Sequence, residues 1–114
     1  MNITLKKLKN IAQSAYHKIK FKPTSGCYID RNSKECDPLT AIYISRTKDY
    51  EVGSIENLKN EIKKLLKTDD LYIEGFICGF DNWKFDEDYF QAIGKSNTYL
   101  SGFADGESLR KELL

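Results

Sequence analysis

The stretch Leu71–Asp81, LYIEGFICGFD, decides the reading of this chain, because its pattern returns further along. Tyr72-Ile73-Glu74-Gly75-Phe76-Ile77-Cys78-Gly79 is echoed, 27 residues later, by Tyr99-Leu100-Ser101-Gly102-Phe103-Ala104-Asp105-Gly106. On a helix, glycines four apart share one face and leave a shallow groove free of side chains. Tyr72, Ile73, Phe76, Ile77 and Phe80 flank the groove in the first copy, and Tyr99, Leu100 and Phe103 in the second. Four glycines in helix interiors cost roughly 0.5–1 kcal/mol each relative to alanine. That is a large share of a typical ~5–15 kcal/mol stability, so close packing or close ligand approach must offset it.

The sequence therefore predicts that helices bearing Gly75/Gly79 and Gly102/Gly106 meet face to face, small residues letting the backbones approach. Gly102→Leu should then cost far more than Gly102→Ala. The same residues also suit a buried strand, which periodicity alone does not exclude for a short apolar run. Thr68, Asp69 and Asp70 favour the helix, since they cap it and complement its N-terminal dipole.

Upstream, residues 3–20 read as an amphipathic helix with Leu5, Leu8, Ile11, Ala12, Ala15 and Ile19 on one stripe. Asn2 or Thr4 is placed to cap it, and Pro23 bars continuation much beyond Phe21. Gly26 and the turn Arg31-Asn32-Ser33-Lys34 suit a small hairpin over residues 26–36. Asp37-Pro38 is a helix start, and Ser54 caps a further amphipathic helix carrying Ile55, Leu58, Ile62, Leu65 and Leu66. Downstream, Asp86 caps a short helix closed by Gly94, and Ser96 or Asn97 caps the last one. The expected fold is mainly α: one compact domain over residues 1–114, a bundle of five or six helices with room for one β-hairpin.

At 114 residues the chain is long enough to bury roughly 65% of its unfolded surface. Its 40% hydrophobic and 31% charged residues are those of a soluble globule. No apolar run approaches the ~18 residues of a membrane span, and no secretory signal opens the chain, so a cytoplasmic location is expected. Net charge is +1, yet residues 1–67 carry 14 Lys/Arg against 7 Asp/Glu, and residues 68–114 carry 4 against 10. Three cysteines, Cys27, Cys36 and Cys78, are an odd and scattered set, which points to thiols rather than disulfides, with Cys78 buried on its helix.

Chemistry is sparse. His17 is the only histidine and sits on a lysine-rich helix, so it is read as a surface residue rather than a catalytic one. Cys27, Cys36, Cys78 and His17 lack the knuckle spacing of a zinc site. No catalytic residue, cofactor or metal is implied. The more suggestive segment is Asp81, Trp83, Phe85, Asp86, Glu87, Asp88 and Tyr89, where carboxylates alternate with rings. Capping accounts for acids at a helix start, and the remainder reads as an acidic-aromatic partner-binding patch. The lysines of the first half (Lys6, Lys7, Lys9, Lys18, Lys20, Lys22, Lys59, Lys63, Lys64 and Lys67) suit phosphate contacts, though no nucleic-acid motif accompanies them.

Gly26-Cys27, Cys36-Asp37-Pro38-Leu39-Thr40-Ala41, Gly79-Phe80-Asp81 and the Tyr-x-x-Gly-x-x-x-Gly-x-x-x-Arg run from Tyr99 to Arg110 resemble small uncharacterised bacterial and phage-type proteins. The resemblance implies a prokaryotic or phage origin and no site residues. The expected function is a non-enzymatic, partner-binding accessory protein such as an immunity protein, inhibitor or regulator, with another protein as partner. The alternatives are a nucleic-acid binder using the lysine-bearing helices and a small-molecule sensor or enzyme using the glycine groove.

Overall fold

Caps and apolar stripes set the helices where the sequence places them. In the computed structural model, which describes residues 5–114, α1 spans Leu5–Ile19, α2 Pro38–Thr47, α3 Ile55–Leu66, α4 Asp70–Phe80, α5 Glu87–Ala92 and α6 Asn97–Leu113. The candidate caps Asn2 and Thr4 lie outside the described residues. Asp37, Ser54, Asp69, Asp86 and Ser96 each accept a hydrogen bond from the backbone N–H three residues on, which satisfies an otherwise orphaned donor. Pro38 occupies the first turn of α2, where its missing N–H is harmless.

Between α1 and α2 lies a three-stranded sheet of two-residue strands: β1 Lys22–Pro23, β2 Ile29–Asp30 and β3 Glu35–Cys36, in the order β1-β3-β2. The expected hairpin is the antiparallel β2–β3 pair, with Ile29 opposite Cys36 and Asp30 opposite Glu35. The parallel strand β1 was not expected. Proline imposes an extended backbone on itself and its predecessor, and an edge strand spares it the ladder donor that it lacks. The hydroxyl of Tyr16 on α1 donates to the Cys36 carbonyl at 2.7 Å and so ties sheet to helix.

The core gathers Leu8, Ala12 and Ala15 of α1, Leu39 and Ile42 of α2, Leu58, Ile62 and Leu66 of α3, and Ile73, Phe76 and Phe80 of α4. Among the described residues, six helices, a small sheet and a radius of gyration of 13.3 Å make this a mainly α globule.

The twin glycine segments are both helical and pack on each other, in the most extensive helix–helix contact among the described residues. A Cβ placed on Gly75 would lie well under 3.0 Å from the Tyr99 carbonyl oxygen and 3.0 Å from the Phe103 nitrogen. One placed on Gly102 would meet the Tyr72 carbonyl in the same way and the Phe76 nitrogen at 3.0 Å. Gly79 faces the Phe103 carbonyl, and Gly106 that of Phe76. Both sets of contacts advance in the same chain direction, so α4 and α6 run parallel, with the 27-residue offset of the repeat as their register. Residues 81–96, including α5, carry the chain back to the start of the seam.

Each glycine thus turns a Cα–H toward a carbonyl oxygen of the other helix, a weak hydrogen bond worth about 0.5–1 kcal/mol. The hydroxyl of Tyr72 adds a 2.6 Å bond to Asp105 across the same seam. Two expectations change as a result. No open groove remains for a ligand, because the backbone of the other helix fills it. The obstruction is also backbone, which cannot swing aside like a side chain, so alanine at Gly102 already meets most of the barrier that was expected only of leucine.

Ion pairs join the basic first half to the acidic second half: Lys9 to Glu112 at 2.6 Å and Lys63 to Asp70 at 3.2 Å. Exposed pairs of this kind contribute ~1 kcal/mol or less each, but they neutralise part of the lysine track.

Candidate functional site

Residues three and four apart on a helix share a face, so Glu74, Ile77 and Cys78 form one wall beside the glycine seam of α4. Opposite that wall the chain leaves α4, turns at Asn82 and enters α5, bringing Trp83, Lys84, Asp86 and Tyr89 over the same space. Tyr99 of α6, Lys59 of α3 and Tyr28 of the hairpin complete a pocket of about 370 Å³. Four of its lining residues are aromatic.

The rings explain why this face holds its shape. Phe85 meets Phe103 edge-on at 5.3 Å between centroids and lies 5.3 Å from Phe90. Tyr89 meets Tyr99 at 5.7 Å, again nearly edge-on. Such pairs contribute about 0.5–1.5 kcal/mol beyond the area they bury. They attach α5, which buries none of its own residues fully, to α6. Trp83 takes no part in these ring pairs and is 55% exposed, and Tyr89 is 38% exposed.

Hydrogen bonds fix the acids of the pocket. The Tyr89 hydroxyl donates to Glu74 Oε2 at 2.6 Å, and that bond, helped by burial, pushes the Tyr89 phenol up to about 12. Asp86 Oδ1 accepts the Tyr89 backbone N–H at 3.0 Å as the α5 cap. Burial, with the Cys78 thiol beside it, pushes the Tyr99 phenol up. Burial also raises the Tyr28 phenol, with the carboxylates of Asp37 and Asp81 adding to it, so Tyr28 stays a protonated donor. Lys59 and Lys84 have no hydrogen-bond or ion-pair partner among the described residues.

The seven residues expected to form a partner-binding patch divide three ways. Trp83, Asp86 and Tyr89 line the pocket. Glu87 and Asp88 are exposed and line a shallow depression on its outer side, and Phe85 is half-buried as the ring that anchors α5. Asp81 is half-buried at the end of α4 and does not line the pocket; its carboxylate accepts the Gly26 N–H at 2.8 Å and tethers the hairpin loop. Sequence reasoning missed Tyr28, Lys59, Glu74, Ile77, Cys78, Lys84 and Tyr99. The spacing of Glu74, Ile77 and Cys78 was a usable signal for the wall, whereas nothing local points to Tyr28 or Lys59.

Cys78 lines this pocket instead of being buried, while Cys36 is fully buried, Cys27 is exposed and all three are free thiols. His17 is exposed on α1. Among the described residues, no group of three His, Cys, Asp or Glu side chains is placed to hold a metal ion. No helix among them is long and apolar enough to cross a membrane. Compared with family models, curated proteins and solved structures, the chain matches none of them.

Proposed function

We propose that this chain is a non-enzymatic binding protein that receives a segment of a protein partner in the Trp83–Tyr89 pocket. That is the part an immunity protein, inhibitor or regulator of bacterial or phage origin plays in the cytoplasm. One observation carries the reading: an exposed tryptophan and an exposed tyrosine flank a concave site whose backbone is fixed by ring packing and hydrogen bonds. Rings on a rigid frame lose little entropy on binding and supply the central contacts of protein interfaces.

The test is capture of partners from the native cells by the tagged chain, followed by affinity measurement with the purified partner. Trp83→Ala and Asp86→Lys should each weaken binding at least about tenfold. Unchanged affinity for both variants refutes the site. The lysine-bearing helices remain the basis of a second reading, nucleic-acid binding. It draws less support because Lys9, Lys63 and Lys64 already face carboxylates. A mobility shift that fades with salt would favour it.

A further inference from the structure

A second concave surface lies on the far side of α3 from the Trp83 pocket. Lys59 lines that pocket, whereas Glu61 and Leu65 line the other surface from about 200–240° further round the helix. α1 and α3 both pack beside the buried helix α2. Between them they leave an open groove of about 950 Å³. α1 supplies one wall along its length, since Lys7, Ile11, Ser14 and Lys18 recur at three- and four-residue steps and share a face. From Lys7 to Lys18 that wall runs roughly 16 Å, about three helical turns, at ~1.5 Å per residue.

Apolar and charged groups are divided within the groove. Ile11, Ala15, Ile42 and Leu65 form an apolar strip. Lys7, Lys18 and Arg46 stand against Glu61, so three cations less one carboxylate leave a surplus of two positive charges. That carboxylate is already shared between Arg46 at 3.8 Å and Lys64 at 3.7 Å. Neither α1 nor α2 contains an aspartate or glutamate to offset the rest. Phosphates would use the cations and leave the apolar strip bare; an uncharged helix would do the reverse. An amphipathic helix whose apolar stripe is bordered by Asp and Glu uses both.

We infer that the α1–α3 groove docks an acidic amphipathic helix of a protein partner. Its carboxylates meet Lys7, Lys18 and Arg46, and its apolar stripe lies on Ile11, Ile42 and Leu65. Lysine suits such a rim, since its stem packs along apolar surface while its ammonium reaches a carboxylate. This surface is additional to the Trp83 pocket and does not depend on it.

The probe is a blocked peptide of about 16 residues of Leu, Ala and Glu, with its leucines at three- and four-residue spacing. It is titrated into the 15N-labelled chain beside a scrambled peptide of the same composition and a mixed-sequence single-stranded oligonucleotide. The patterned peptide should shift the amides of Ile11, Ser14, Ser45 and Leu65 saturably and bind at least about fivefold tighter than the scrambled one. Lys18→Glu/Arg46→Glu should weaken it about tenfold or more. Lys34→Glu/Lys111→Glu, the same charge change at exposed sites outside the groove, should leave it within about twofold. Ser14→Trp, which puts an indole into the groove at unchanged charge, should also weaken it, and covers the case in which the charge-reversed chain fails to fold. Equal affinity of the two peptides overturns the inference, because charge alone would then explain the binding. So do equal losses in the two charge-reversed chains, tighter binding of the oligonucleotide at the same amides, and no shift at about 1 mM peptide. The Trp83 pocket stands or falls separately, since none of these amides belongs to it.

Discussion

Gly102→Ala tests the seam between α4 and α6 most directly. In an ordinary exposed helix this change stabilises by about 1 kcal/mol, because alanine is the better helix former. Here the new methyl would point at the Tyr72 carbonyl oxygen, well under 3.0 Å away, with the Phe76 nitrogen at 3.0 Å. Normal contact begins near 3.4 Å, so the helices must part by roughly 1 Å. Parting of rigid helices loosens all four glycine–carbonyl contacts together, at about 0.5–1 kcal/mol each. A gap of that size also forfeits a quarter to a half of the dispersion well for the side chains along the seam. After the helix-propensity gain the net loss should be about 2–4 kcal/mol, or a Tm lower by roughly 8–15 °C. Thermal and urea unfolding followed by circular dichroism measures it, with Gly53→Ala as a near-neutral control, since no atom lies within 4 Å of a Cβ there. Gly75→Ala should behave like Gly102→Ala, and the double variant should cost clearly less than the sum, because helices already parted are parted for both. A Gly102→Ala chain that melts at or above the wild-type temperature refutes the close-packed seam.

The buried Asp37 should make stability depend on pH. Its carboxyl is 4% exposed and is pushed from the usual carboxylate range up to about 7, chiefly by burial and against the pull of its hydrogen bond from the Thr40 N–H. The folded state then holds a proton that the unfolded state has released between about pH 4 and 7. Stability from this group is full below the unfolded value and declines as pH rises through the folded one. Asp37→Asn, which still caps α2, should flatten that decline and raise stability at pH 8; an unchanged slope would show that other groups control it. Trp83→Ala should leave Tm within about 2 °C of wild type, since the side chain is largely exposed, and a larger drop in a melting curve would make it structural. Ser54→Ala should cost about 1 kcal/mol in urea unfolding by removing the Asn57 N–H acceptor, and no loss would mean that the cap is idle. In thiol labelling of the native protein, Cys36 should react only on unfolding, whereas Cys27 reacts without it, slowed because burial and the surrounding carboxylates raise its thiol. Equal rates for the two would contradict their burial.

The legible parts of this fold are the ones governed by neighbours in sequence. Asp37-Pro38, Ser54, Asp69, Asp86 and Ser96 start helices because a side-chain oxygen reaches an N–H three residues on, a distance set by the helix itself. The stripes of α1 and α3 are likewise local. Strand β1 was not legible: Lys22 and Pro23 gain their pairing from Glu35 and Cys36, and no pattern within residues 22–23 announces it. Tyr28 and Lys59 were missed for the same reason, since they enter the pocket from elements far from Trp83 in sequence.

By itself the sequence determined six helix sites, a hairpin and the identity of the two segments that meet, because a four-residue glycine spacing has one economical use in a helix. Only the tertiary structure decided that those helices run parallel, that the seam closes on backbone atoms with no room for a ligand, and that Asp81 turns away to the hairpin while Trp83 and Tyr89 stay on the surface. Direction, closure and exposure depend on where distant parts of the chain come to rest, and the interactions that settle them are formed only once the whole core has packed.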